Sequence, residues 1–204
     1  MSANAREPHI GLVVEGPGDA NAVPLLFRNY LQSRNEYREI LGKPVSCNGR
    51  SRATISGGLE GFVAAAAARP GCVGVLVILD ADGDPSCQLG PELLARARAV
   101  SRVPVEMILC ERYFESWIYA SVETLNLTEE AVEHSPARSG LGAIEELLQP
   151  TKYAKPVWQP RLTSRMDISL ASSRRPDLSR ALMKVDAMAS IVADRISLGS
   201  DNEA

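Results

Sequence analysis

Two histidines and four cysteines are all that this 204-residue chain holds of the softer metal ligands. Cys47, Cys72, Cys87 and Cys110 stand far apart, with no CxxC pair and no histidine beside any of them, so neither a zinc knuckle nor a disulfide framework is expected. His9 and His134 are isolated from each other and suggest no ligation. Long apolar runs are missing too: the longest, around Val73 to Leu79, is far too short to cross a bilayer, and the opening MSANAREPHI lacks the apolar stretch of a signal peptide. These absences point to a soluble chain in a reducing cytoplasm. Its length suits one domain, or one domain with a small appendage, with a core of its own.

What is there begins with an uneven charge. The net charge is -3, yet eight basic residues (Lys152, Lys155, Arg161, Arg165, Arg174, Arg175, Arg180, Lys184) stand against Asp167 and Asp177 in the stretch 151–184, which is therefore +6 and leaves -9 for the rest. A basic segment beside an acidic domain is what a metal-dependent enzyme acting on phosphodiesters requires, because the phosphate must be drawn toward carboxylates that repel it. The other reading is a solvated helical face.

Apolar, β-branched runs alternate with helical stretches, the pattern of a parallel sheet wrapped by helices, so the fold class is α/β. His9 to Val14 reads as a first buried strand, and Gly16, Pro17 and Gly18 break it. Asp19 or Asn21 can then cap a helix running through Val23, Leu26, Phe27, Tyr30 and Leu31. Val45 to Cys47 is a weaker strand, Leu59 to Arg69 a helix stopped by Pro70 and Gly71, and Val73 to Leu79 the strongest strand. A helix from Pro91 to Val100, a fourth strand from Pro104 to Cys110 and a helix from Phe114 to Ala120 follow. From about Asn126 only helical stretches remain, near Leu141 to Leu148 and from Asp177 to about Ile196. The expected organisation is an α/β domain over 1–125 with a helical, basic C-terminal extension over 126–204 packed on it.

In open parallel sheets ligands gather at the carboxyl ends of the strands, where the strand order reverses. The acids fall there: Glu15 closes the first strand in Val14-Glu15-Gly16-Pro17-Gly18-Asp19, and Asp80 closes the third in Leu79-Asp80-Ala81-Asp82-Gly83-Asp84. If the second strand lies outside the first and the third on its other side, both acidic tips share one crevice, and such a cluster repels itself without a cation. Hard oxygen ligands without histidine or thiolate select magnesium, manganese or calcium rather than zinc. The calcium-loop template fails, since counting from Asp80 puts Pro85 where its glycine belongs and Pro91 where its glutamate belongs, after a strand rather than a helix. An Asp-x-Asp by itself can also be turn chemistry.

The pair of segments, E-G-x-x-D after the first strand and D-x-D after the third, resembles the Toprim domain of topoisomerases, primases and overcoming-lysogenization-defect nucleases, over roughly Ile10 to Cys110. The whole chain resembles the bacterial Toprim-like family called domain of unknown function 4276. That likeness rests on Val14-Glu15-Gly16, Asp80-Ala81-Asp82-Gly83-Asp84, Phe114-Glu115-Ser116-Trp117, Lys152-Tyr153-Ala154-Lys155, Asp167-Ile168 and Arg174-Arg175-Pro176-Asp177-Leu178. The resemblance implies a Toprim/Rossmann-like sheet of about four strands. It also implies Glu15 as general acid/base and Asp80 and Asp82, with Asp84, as holders of Mg2+ or Mn2+, the metal neutralising phosphate and activating water. A topoisomerase would take its tyrosine from a further domain and a primase would need a template-binding partner, which leaves simple hydrolysis.

Further positions carry two readings each. Glu115, at the start of a helix, is either favoured by the macrodipole or a metal contact, and Glu111 shares that setting. Lys155 resembles the late lysine by which nucleases stabilise phosphate charge, or is a solvated lysine. Of Trp117, Trp158 and Tyr153, the aromatics that could stack on bases, Trp117 reads as core and only Trp158, between Val157 and Pro160, has an exposed setting. Lys152, Arg161, Arg165, Arg174 and Arg175 are the candidate nucleic-acid contacts, with DNA favoured over RNA. The expected function is Mg2+- or Mn2+-dependent hydrolysis of nucleic acid, with an ABC- or AAA-type ATPase partner in defence against phage or other foreign DNA, no membrane, and room for a homodimer. Its rivals are a non-catalytic, metal-organised module binding nucleic acid or protein, and a phosphatase of the haloacid-dehalogenase kind. The phosphatase places its Asp-x-Asp after the first strand, not the third. Dinucleotide binding is weaker, since Gly16-Pro17-Gly18-Asp19-Ala20 lacks the third glycine.

Overall fold

The structure, a computed structural model, describes residues 7–128 and 132–200. Four strands, β1 (His9–Val14), β2 (Val45–Ser46), β3 (Cys72–Asp80) and β4 (Val105–Cys110), form one all-parallel sheet in the order β2-β1-β3-β4. The α/β reading of the sequence is therefore what the chain adopts. β1 and β3 are direct neighbours, with Val14 beside Ile78, so the residues following both strands leave the sheet side by side. β3 is covered on both faces and buried from Val73 to Asp80, which is why it reads as an unbroken apolar run.

Alternate residues of the strands feed two cores. Ile10, Leu12, Val14, Leu76, Ile78 and Ile108 face one side, and Val13, Val75, Val77, Leu79, Val105 and Met107 the other. The second side is covered by α2 (Arg50–Thr54), α3 (Gly58–Ala67) and α4 (Ser86–Val100), through Ala53, Leu59, Val63, Ala66, Leu93 and Ala97. The first side takes α1 (Pro17–Ser33) and everything after β4: α5 (Glu115–Tyr119), α6 (Gly140–Leu147), α7 (Lys155–Thr163), α8 (Ile168–Arg174) and α9 (Pro176–Ser200). Leu178, Ala181, Leu182, Val185, Met188 and Val192 recur at helical spacing along α9, which lays this stripe across β1, β3 and β4. α7 lies along α1, so one apolar cluster runs from the sheet into the C-terminal segment.

Several boundaries differ from the sequence reading, for definable reasons. α1 begins at Pro17 with Gly16 as its cap, because proline's fixed φ suits the first helical position. Asp19 is therefore not the cap but the third helical residue, and its Oδ2 accepts the Gly16 N–H at 2.9 Å. α4 starts five residues before Pro91, which stands inside it. α7 was hidden by Pro156 and Pro160, and α2 and α8 by their shortness.

Two glycines set how closely helices approach the site. A Cβ at Gly18 would lie 2.2 Å from Oε1 of Gln159, so only glycine lets α7 close on α1. A Cβ at Gly140 would lie 2.5 Å from the Cα of Ser116, which fixes α6 against α5. The start of α9 is tied down by Asp177, whose Oδ2 accepts the Trp117 indole N–H at 2.7 Å and the Glu111 backbone N–H at 2.9 Å. Trp117, fully buried and 5.5 Å from the Phe114 ring, is a core residue.

Candidate functional site

At the carboxyl ends of β1 and β3, Oε2 of Glu15 accepts the backbone N–H of Asp80 at 3.2 Å. Asp80 turns inward: Oδ1 accepts the Phe114 N–H at 2.8 Å, and Oδ2 lies 3.4 Å from Nζ of Lys155. Lys155, the first residue of α7, also approaches Oε2 of Glu115 at 3.8 Å. Glu115 is fully buried; its Oε1 accepts from the Tyr153 hydroxyl at 2.7 Å and from Nε2 of Gln159 at 3.0 Å, and that same amide nitrogen donates to Oδ1 of Asp19 at 3.1 Å. Four strand-end or helix-start acids thus surround one lysine. Oε2 of Glu115 and Oε1 of Gln159 are buried without a hydrogen bond.

Electrostatics follow from that crowding. Burial is the main reason the carboxyl of Asp80 is pushed up to about 8, and it outweighs the attraction of Lys155, with Asp19, Glu15 and Glu115 adding repulsion. Burial likewise lifts Glu15, against the pull of the Asp80 N–H, and lifts Asp19. For Lys155 burial opposes the charge, but Glu115, Asp80 and Asp19 overcome it and hold the ammonium above the usual lysine range. The Tyr153 hydroxyl is raised by burial and by Glu115, so it stays a donor. Cys110, buried beneath the cluster, is raised well above the ordinary thiol range by desolvation, and Cys47 is pushed up to about 12; neither is a ready nucleophile.

The remaining acids of the D-x-D run lie apart from this cluster. Asp82 stands in the left-handed region at φ 48°, its side chain 49% exposed, with Oδ2 3.5 Å from the Arg50 guanidinium. Asp84 also pairs with Arg50 and is 56% exposed. A hydrogen bond from Tyr113 reaches Asp82 and holds the phenol above its ordinary range. Among the described residues, no three histidine, cysteine or acidic side chains converge as a ready metal set.

Whether the chain fits a divalent cation is therefore a question of chemistry and of assembly. In chemistry it fits: three buried carboxylates and the half-buried Glu15 face one lysine, all donors are hard oxygens, and Oε2 of Glu115 makes no hydrogen bond, only the 3.8 Å ion pair with Lys155. In assembly it is incomplete, since Asp82 and Asp84 rest on Arg50 rather than beside Asp80.

The structure brings together Glu15, Asp80, Glu115 and Lys155 of the residues singled out by sequence. Glu115 is the first residue of α5, as the macrodipole reading has it, and is fully buried; Lys155 is not a free solvated lysine, being only half exposed with two acidic partners. Tyr153 spends its hydroxyl on Glu115, and the Trp158 ring carries the Arg161 guanidinium 5.5 Å from its centroid. The five candidate nucleic-acid contacts separate. Arg161 and Arg165 line a cleft of about 370 Å³ with Trp158, Arg174 and Arg175 line another cavity, and Lys152 borders a third beside Pro150. Sequence reasoning missed Gln159 and Arg50. Gln159 was findable, because it lies four residues after Lys155 and so shares its helical face; Arg50, in a weak segment, had no such signal.

No family model, curated protein or solved structure matches this chain. No helix among the described residues is long and apolar enough to cross a membrane.

Proposed function

We propose that the chain hydrolyses phosphodiester bonds of nucleic acid with the help of Mg2+ or Mn2+, as a Toprim-type nuclease. The observation that carries this reading is the juxtaposition of Glu15 and Asp80 on adjacent parallel strands with the Lys155 ammonium 3.4 Å from Asp80. Acids to hold a cation and a fixed positive charge to face phosphate are what phosphoryl chemistry requires. Glu15, Asp80 and Asp82 would hold the metal, which supplies charge neutralisation and an activated water. Burial lifts the Glu15 carboxyl above its ordinary value, the direction that favours a proton-transferring group. Lys155 faces the developing charge on the phosphate, and Tyr153 and Gln159 keep Glu115 and Asp19 in place around it. DNA as substrate, an ATPase partner and a role in defence against foreign DNA belong to the same proposal.

The test is cleavage of single- and double-stranded DNA and of RNA in millimolar Mn2+, with Glu15→Gln beside the wild type. Cleavage lost in the variant supports the reading. Two observations favour a second reading, a non-catalytic module: Asp80 already uses both oxygens, and no ready metal set is assembled among the described residues. Nucleic acid bound in Mn2+ but left intact, with and without an ATPase, selects that module.

A further inference from the structure

Beside the acidic loops lies a small cavity whose walls carry the opposite charge. Arg112, Arg138, Arg174 and Arg175, with His134 and Ser139, line a volume of about 350 Å³, and Glu111 is the one acid among the lining residues. Burial, followed by the nearby charge of Arg174, holds the His134 imidazole below its usual range, in keeping with a positive field. Three of the guanidiniums have carboxylate partners, Arg138 with Glu146, Arg174 with Glu123 and Arg175 with Glu111 and Asp177, whereas Arg112 makes no ion pair among the described residues.

Arg112 also joins this cavity to the candidate site. It stands in the left-handed region at φ 70°, and its carbonyl accepts the backbone N–H of Asp82 at 3.0 Å, so the loops carrying Asp82 and Arg112 are fastened together. On its other side Arg112 lines a larger cleft of about 840 Å³, with Asp84, Arg180 and Lys184 on its walls. The two cavities share Glu111 and Arg112 in their walls.

We propose that the small cavity receives the phosphate monoester end of a nucleic-acid strand. Its volume is at the low end for small-molecule sites, room for about one nucleotide and too little for a duplex. A terminal phosphate carries more charge than an internal diester and offers three oxygens to planar guanidiniums that bind such groups bidentately. The inference rests on the nuclease reading for the identity of the strand, but the binding itself requires neither metal nor turnover.

The experiment is binding in EDTA of one short single-stranded oligonucleotide carrying a 5′-phosphate, a 3′-phosphate or only hydroxyl ends. Wild type, Arg112→Ala and Arg138→Ala are compared, with melting temperatures taken to establish that the variants fold. Both arginines are exposed enough for removal to leave the core intact. One phosphorylated end should bind about tenfold tighter than the hydroxyl-ended strand, inorganic phosphate should compete, and both substitutions should erase the difference. Equal affinity for all three strands, or a preference that survives both substitutions, overturns the proposal. Cleavage in Mn2+ is scored separately: a hydroxyl-ended strand cut with no end preference retains the nuclease and sinks the pocket, while an end preference without cleavage does the reverse.

Discussion

Two groups of carboxylates stand within a few residues of one another at the strand ends, and the chain treats them in opposite ways. Asp80, Glu115, Asp19 and Glu15 are drawn inward around Lys155, hydrogen-bonded to backbone N–H groups and to Gln159 and Tyr153, and burial lifts the carboxyls of Asp80, Glu15 and Asp19. Asp82 and Asp84 are about half exposed and held by Arg50 alone among the guanidiniums. Identical side-chain chemistry thus yields a costly, fixed limb and a cheap, adjustable one. A fixed limb positions reacting groups; an adjustable limb can swing onto a ligand. Burial therefore matters more here than the D-x-D spacing that drew attention to the loop.

The sharpest test of this contrast is pH. Asp80 has a folded-state value near 8 against an ordinary value of 3.8, so its protonated form is the one folding favours. The stability it contributes is fully present below about pH 4 and is lost as pH rises through about 8. In chelator, Asp80→Asn should melt higher than wild type at pH 8 to 9, with a gain of up to a few kcal/mol, and should flatten the fall between pH 4 and 8. Asp82→Asn should leave the slope unchanged. Parallel wild-type and Asp80→Asn curves would remove the distinction between the limbs.

Removing the cations asks the same question from the other side. Lys155→Met leaves Asp80 and Glu115 facing each other with no counter-charge, a change of the kind that costs about 3 kcal/mol when fully buried and about 2 at this half-exposed position. Arg50→Met strips two exposed pairs and should cost about 1 kcal/mol or less. Chemical denaturation in chelator at pH 9, above the value near 8 of Asp80, compares the two directly; equal losses would show the limbs to be equivalent. Gly18→Ala should cost about 1–2 kcal/mol, since the added Cβ must displace Gln159 from Asp19 and Glu115. Double-mutant coupling with Gln159→Ala would separate that displacement from helix propensity, which alone favours alanine.

The sheet and the tips of β1 and β3 were legible because their signals are local: an apolar run followed by an acid and glycines places Glu15 and Asp80, and neighbouring parallel strands then bring them together. The inward turn of Asp80 was not legible, since it depends on a backbone N–H from Phe114 and on Lys155, 75 residues later in the chain. Nor was the split within Asp80, Asp82 and Asp84, for a spacing of two says nothing about which carboxylate meets an arginine from another loop. The stretch 151–184 was correctly seen as basic, but charge composition did not reveal that Arg174, Arg175 and Lys184 are engaged with Glu123, Asp177 and Glu106, while Lys155 turns into the acids. Prolines at 156 and 160 masked the helix that does this.

A last expected effect joins the two limbs. A divalent cation that binds only the folded chain raises its stability by RT ln(1 + [L]/Kd), about 1–3 kcal/mol for a cation at roughly 10 to 100 times its Kd. If Asp82 swings from Arg50 to share that cation with Glu15 and Asp80, millimolar Mn2+ should raise the melting temperature of the wild type and not of Asp82→Ala, whereas Asp84→Ala should retain most of the rise. The gain should grow from pH 6 to pH 9, because Asp80 surrenders its proton to the metal more easily as pH approaches its value near 8. A rise that persists in Asp82→Ala would confine the metal to the buried limb and leave the exposed one as a pairing site for Arg50. No rise in any of the three would mean that Lys155 already supplies the only cation the cluster accepts, and the fixed limb would then be a structural charge network with the binding-module reading ahead of hydrolysis.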